Sequence, residues 1–272
     1  MRSRTGRSVG IAVAVVGLLI GPLTLEQASA AEGINFVSRC LYSHSAPDDP
    51  IVFPSQPGAS HLHDFFANRS TNASSTYASL RRAGTTCRIE GDTAAYWTPA
   101  LYDSGKLVRP THTVVYYRPG AKDYRSVQAF PAGLKVVAKD ANVRATWSCN
   151  GSGAQGRPQT ETPACPDGTH LVLHHRFPDC WDGRRLDAPD HTSHLMFARR
   201  QACPSTHPRP VPAISVNVHY PSDGGDVALG TPDTPVAAHA DFFNAWHQPT
   251  LERLVRACIN AGRHCGQNPP GV

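Results

Sequence analysis

The sequence predicts a mainly β domain, a sandwich or jelly-roll-like fold with one C-terminal helix and a set of disulfide staples. Three observations predict it. Short apolar runs alternate with polar residues at period two, a single helical stripe occurs near the end, and the cysteines number eight, an even set. Pro and Gly are scattered as turn punctuation, with no linker tract, so residues 31–272 read as one β-rich domain.

Residues 1–30 read as a cleavable signal peptide. Arg2, Arg4 and Arg7 form a positive n-region, 11–20 is apolar apart from Gly17, and Ala28-Ser29-Ala30 supplies the small residues of a cleavage site. The apolar run is short for a membrane span, and no later stretch approaches about 20 apolar residues. The mature chain is therefore expected to start at Ala31 or Glu32 and to be secreted, extracellular or wall-associated, as a monomer without a membrane span.

Within the domain, 113–118, 134–138 and 171–177 are strand candidates. Val143, Ala145, Trp147 and Cys149 repeat every second residue. Ile214, Val216, Val218 and Tyr220 point one way, with Ser215, Asn217 and His219 between them. The segment 150–167 reads as a long loop tied at its base by Cys149 and Cys165. Leu251, Leu254, Val255, Cys258 and Ile259 follow the helical i, i+3, i+4 pattern. Thr250 is the expected N-cap, and Gly262 lies just past the end.

Exported thiols meet an oxidising compartment, so the cysteines read as staples. Sequence proximity suggests Cys149–Cys165, Cys180–Cys203 and Cys258–Cys265, which leaves Cys40 with Cys87. No CxxC pair is present, which argues against a zinc ribbon or thioredoxin-type site. Removing Arg2, Arg4, Arg7 and Glu26 with the leader lowers the net charge from +5 to +3. With no basic block, that surplus leaves no electrostatic footprint for nucleic acid.

The residues able to do chemistry gather in three segments of a chain with 14 histidines. In Ser60-His61-Leu62-His63-Asp64-Phe65-Phe66, a strand would place His61 and His63 on one face, able to chelate a metal or bracket a substrate. The alternative is a pair of histidines bonded to neighbouring loops in a polar core. In Asp187-Ala188-Pro189-Asp190-His191-Thr192-Ser193-His194, a helical turn would bring His191 and His194 together; the alternative is an Asp-capped turn. In His239-Ala240-Asp241-Phe242-Phe243-Asn244-Ala245-Trp246, the Asp-Phe-Phe of the first segment recurs. A carboxylate beside a histidine fixes its tautomer and raises its basicity.

Among weaker signals, Tyr96-Trp97 and Tyr116-Tyr117 could stack on sugar rings or pack in the core. Arg118 and Lys135 could pair with a uronate carboxylate or be merely solvated.

Taken together, these segments resemble the secreted family known as domain of unknown function nineteen-ninety-six, found in actinobacteria and fungi and often joined to carbohydrate-binding WSC modules. The matching pieces include Asp49-Pro50-Ile51-Val52, the first His segment, Ala95-Tyr96-Trp97-Thr98-Pro99-Ala100-Leu101-Tyr102 and Phe177-Pro178-Asp179-Cys180-Trp181-Asp182-Gly183. Asp190-His191-Thr192-Ser193-His194 and the third segment complete them. Ala67 stands where the family usually has glycine after the first Phe-Phe. The resemblance implies an extracellular or cell-wall setting and carries no catalytic roles.

The leading reading is a protein acting on, or binding, extracellular polysaccharide or cell-wall glycan through a His/Asp cluster, with one divalent metal ion as the candidate cofactor. As an enzyme it would be a polysaccharide lyase or hydrolase. Glutamate is scarce, with only Glu32, Glu90, Glu161 and Glu252 after the leader, so a two-carboxylate glycosidase would draw mainly on aspartates such as Asp64, Asp182, Asp190 and Asp241, and histidine or metal-assisted chemistry suits the inventory slightly better. His61, His63 and His239 are the candidate metal ligands. His191 and His194 are candidate bases, Asp64 and Asp241 orienting carboxylates, and Tyr96, Trp97, Tyr117 and Arg118 substrate-binding residues. The competing readings are a non-catalytic wall- or glycan-binding protein with structural histidines, and an adhesin.

Overall fold

The computed structural model describes residues 33–120, 122–139, 145–150, 156–231 and 233–271. The expected signal peptide, Val143 and residues 151–155 of the expected loop lie outside the described residues.

Seventeen strands occur among them. They are β1 Asn35–Ala46, β2 His63–Ala67, β3 Ala95–Pro99, β4 Leu101–Asp103, β5 Lys106–Val108, β6 His112–Arg118, β7 Lys135–Ala138, β8 Thr146–Cys149 and β9 Leu171–Arg176. Then come β10 Cys180–Trp181, β11 Leu195–Met196, β12 Arg209–Pro210, β13 Ala213–His219, β14 Val227–Thr231, β15 Thr234–Pro235, β16 Ala240–Phe243 and β17 His264–Gly266. Ten of them form one sheet in the order β7-β16-β3-β2-β1-β6-β13-β9-β8, with β17 added in parallel beside β1. Every other pairing in the sheet is antiparallel.

The long strand β1 makes this sheet curl. Residues from Phe36 to Leu41 pair with β6, while Tyr42 to Ala46 pair with β2, and the register shifts between Tyr42 and His44. A strand that changes partners across a bulge turns a corner, so the two halves of the sheet fold over one core. Side chains cross that core. The Tyr96 hydroxyl of β3 meets the Tyr117 hydroxyl of β6 at 2.5 Å, and Trp246 Nε1 donates to Tyr117 at 2.9 Å. Phe36 stacks on Tyr117 with ring centroids 4.5 Å apart. Asp92 accepts from Ser38 Oγ at 2.6 Å and from the Tyr96 hydroxyl.

Local patterns follow from what each strand faces. β13 alternates buried and half-buried residues, as its sequence predicts. β2, β3 and β16 are buried throughout and show no alternation, because a second apolar cluster covers their other face. Ile51, Phe65, Leu80, Trp97 and Phe243 belong to it, with Leu80 supplied by the short helix α1, Tyr77–Arg82. That helix, unforeseen from periodicity, is set by a Thr76/Ser79 capping box.

The C-terminal helix α2, Gln248–Leu254, begins three residues earlier than expected, with His247 at the N-cap instead of Thr250. Pro249 is accommodated there because the first turn needs no N–H from it. The helix then continues as a π-helical stretch, Val255–Asn260. All four disulfides pair as proximity suggested: Cys40–Cys87, Cys149–Cys165, Cys180–Cys203 and Cys258–Cys265. Ala67 adopts a φ of 69°, in the left-handed region that favours glycine. The alanine therefore stands where a Cβ is strained and where the resemblance implied glycine.

Candidate metal centre

Strand β3 organises the site. Its neighbours β2 and β16 pair with it so that Phe65, Trp97 and Asp241 lie in one cross-strand row, on one face of the sheet. His63 pairs with Pro99, and His239, two residues before Asp241, falls level with Pro99 from the other side. The two backbones are thus about 10 Å apart, two strand spacings, with a compact proline between them. The imidazoles lean across it, and their Nε2 atoms meet at 3.2 Å. His61, just outside β2, packs its ring 4.2 Å from His63 and 5.0 Å from His239, centroid to centroid.

The tautomers follow from the other ring nitrogens. His63 Nδ1 is 3.0 Å from the Asp48 carbonyl, and His239 Nδ1 is 2.8 Å from the Ala237 carbonyl. A carbonyl only accepts, so both Nδ1 atoms carry the proton and donate it. Each neutral ring then presents a bare lone pair at Nε2, and the two lone pairs point at each other. Burial, with the nearby histidines, pushes His63 well below its ordinary value and His61 to about 4. Burial also lowers His239. Extra protons are therefore disfavoured as the bridge, whereas a cation at about 2.0–2.1 Å from each nitrogen matches the 3.2 Å separation.

Two further observations point the same way. His61 Nε2 is buried without a hydrogen-bond partner. Asp241 is 0 % exposed, and neither carboxylate oxygen has a partner. Buried polar atoms are almost always satisfied, and three open ones converge here on potential ligand atoms. Desolvation, aided by the neighbouring Asp49, holds the Asp241 carboxyl well above the usual range. Its Oδ2 lies 3.9 Å from His239 Nε2. Ligand atoms of His61, His63 and His239 all lie within 4.8 Å of one another, as do those of Asp49, His63 and Asp241.

The loop before β2 holds this arrangement from above. Asp48 fixes it by accepting from Gly58 and Ala73 N–H groups, while its carbonyl takes the His63 proton. Asp49 accepts from Ile51 and Val52 N–H at 2.8 and 2.9 Å, and the Trp97 indole N–H lies beside it. On the core side of the sheet, Thr98 Oγ1 donates to the His239 carbonyl at 3.1 Å and sits 3.2 Å from His175 Nε2. Burial, with His239 nearby, takes His175 to about 3. His61 and His239 are half-buried whereas His63 and Asp241 are buried, so one side of the cluster faces solvent, with the exposed Lys139 near its rim.

Other candidates lie elsewhere. Asp64 follows His63 by one residue and therefore faces the opposite side of β2, where it accepts from Ser45 at 2.6 Å. Burial raises its carboxyl to about 6. His194 is 0 % exposed and donates from Nε2 to the Lys135 carbonyl at 2.7 Å. That anchor is at the far end of β7, three residues and so about 10 Å from Ala138, the residue paired beside His239. His191 bonds Asp187 at 2.9 Å in a turn capped by Asp190, which accepts from Thr192 and Ser193 N–H. These two histidines do not join the other three, and the Asp-capped turn is what forms.

The aromatic candidates divide as well. Tyr96, Trp97 and Tyr117 are at most 1 % exposed, so no sugar can stack on them. Arg118 instead lies over Tyr116, 4.2 Å from its ring centroid, on the outer face of β6. Asp49 and Thr98 carried no chemical signal beyond lying in the matching motifs. The parity of spacing was informative: His239 and Asp241 are an even step apart and share a face, and His63 and Asp64 are not.

Comparison with known proteins gives one match. The family model described as Domain of unknown function (DUF1996) matches residues 49–246, a span holding the site's residues from Asp49 to Asp241. No curated protein and no solved structure matches the chain.

Proposed function

The chain belongs to the DUF1996 family, and we propose that it is a secreted, divalent-metal-dependent protein that acts on extracellular polysaccharide. The observation that carries the metal reading is the facing pair of Nε2 lone pairs on His63 and His239. His61, His63 and His239 are the imidazole ligands, and Asp241 is the carboxylate that closes the set. Three imidazoles and a carboxylate suit zinc and its first-row neighbours, and Nδ1–H bonds to carbonyls are the usual support for ligating histidines.

The solvent-facing side favours chemistry over a purely structural ion, because a water or substrate oxygen can approach from there as a further ligand beside the four protein groups. There a metal would polarise a substrate oxygen or lower the pKa of bound water, as a lyase or hydrolase step requires. Export is supported by the four disulfides, which persist in oxidising compartments. Among the described residues no helix is long and apolar enough to cross a membrane.

The test is metal analysis of the full chain purified without chelator, followed by stripping, reloading with zinc, manganese or copper, and assay on polysaccharide panels. One equivalent of tightly held metal and metal-dependent depolymerisation are expected. Substoichiometric metal, with His63→Ala and His239→Ala folded and binding as wild type, would overturn the proposal.

A further inference from the structure

The metal cluster occupies the outward face of one half of the curled sheet. The outward face of the other half holds a separate feature. There Tyr116 of β6 pairs with Val37 of β1 and Ser215 of β13, and Ser215 pairs in turn with Arg176 of β9. These four residues form one cross-strand row. At its β1 end is a recess of 480 Å³ floored by Val37, with Tyr116 as one wall and Arg88, His264, Gln267 and Asn268 around it. That volume lies in the range of small-ligand sites, about 300–1,000 Å³.

The chemistry of this face is one-sided. Outward positions on β1, β6 and β9 supply Arg39, Arg118 and Arg176, Arg88 stands at the recess, and no outward position of β1, β6, β13, β9 or β8 carries a carboxylate. The lining of the recess has none either. Arg88 is exposed, and its Nη1 donates to Gln267 Oε1 at 3.4 Å, so the guanidinium and an amide are held side by side. An aromatic wall, two side-chain amides and an accessible cation suit a ring bearing hydroxyls and a carboxylate, with Arg118 covering only one side of the Tyr116 ring. Arg176 lies about 10 Å from Tyr116 along the row, two strand spacings, which adds a second cation to the same face within reach of a longer acidic chain.

We propose that this recess binds a uronate unit of an acidic polysaccharide, with Arg88 taking the carboxylate and the Tyr116 wall packing against the sugar ring. The site is independent of the metal cluster. It would hold an anionic polymer whether or not the other face does chemistry on it.

Calorimetric titration of the full chain with oligogalacturonate tests the proposal, in chelator throughout, so that failure here is separable from failure of the metal reading. A neutral cello-oligosaccharide of the same length is the comparison. The acidic oligomer should bind and the neutral one should not. Arg88→Ala should weaken binding about tenfold or more, as loss of a charged hydrogen bond implies, and Tyr116→Ala should weaken it too. Arg88 is exposed, so that variant will fold even if Tyr116→Ala does not. The exposed Arg199, remote in sequence and in sheet, is the charge control. Absent binding, equal binding of the neutral oligomer, an unaffected Arg88→Ala, or equal weakening by Arg199→Ala would each overturn the assignment.

Discussion

Replacing Asp241 by asparagine keeps the shape of a side chain that is 0 % exposed and removes an ionisable carboxyl whose two oxygens have no hydrogen-bond partner. In the metal-free protein nothing stabilising is lost, because there is no bond to break and burial already disfavours the ionised carboxylate. The stripped variant should therefore melt at or above stripped wild type. With metal present the sign reverses. At free metal 100-fold above its dissociation constant, a site of this kind stabilises the native state by about 2.7 kcal/mol. For a domain of this size, that raises the melting temperature by about 5–11 °C. Asp241→Asn should cut the increment by about half or more, since a charged ligand is gone, and His239→Ala should abolish it. His191→Ala, bonded to Asp187 away from the cluster, should retain it in full. Differential scanning calorimetry with and without zinc reads all of this. A wild type without a metal increment, or an increment kept unchanged in Asp241→Asn and His239→Ala, would refute the metal centre.

Three further expectations follow from the fold. Replacing Cys180 and Cys203 together opens a bridge spanning 23 residues and should cost about 3 kcal/mol in urea denaturation; metal affinity should hold, because that bridge pins the His194 segment and not the three-histidine cluster. Tyr117→Phe removes a hydroxyl that meets Tyr96 and accepts from Trp246, so stability should drop by about 1–3 kcal/mol with no effect on glycan binding; the reverse, lost binding at full stability, would contradict its place in the core. Burial pushes the Asp92 carboxyl up to about 7, so the native state keeps a proton that the unfolded chain loses near 3.8. Its contribution to stability, on the order of 4 kcal/mol, is full below that value and disappears as pH rises through about 7. Asp92→Asn should flatten the stability profile between about pH 4 and 7, and parallel profiles for the two proteins would refute the assignment.

Much of the fold was legible wherever a strand has one wet face. β13 alternates because one of its faces meets the core and the other carries Ser215, Asn217 and His219. The cysteine pairs were legible because short closures dominate. Strands covered on both faces, β2, β3 and β16, have no period to read. Tyr116-Tyr117 shows the same limit on a small scale: one ring must point in and one out, and only pairing with β1 and β13 decides which. Tyr117 went in, so the expected substrate residue is core and its neighbour faces solvent. The three metal-candidate histidines were found from composition and the repeated Asp-Phe-Phe. That repeat is not equivalent in register, however, since Phe65 and Asp241 share a row through Trp97. Asp64 was misassigned for that reason. His191 and His194 were grouped with the cluster on residue type, helical spacing and the neighbouring Asp190, and no local pattern records that their segment anchors at the far end of β7.

The most direct test of the metal centre is X-ray absorption at the zinc edge on protein loaded with one equivalent of zinc. The zinc should be surrounded by three imidazole nitrogens at about 2.0–2.1 Å together with oxygen, with the imidazole scattering reduced in His239→Ala. A shell of oxygen alone, or an imidazole count unchanged by His239→Ala, would contradict it.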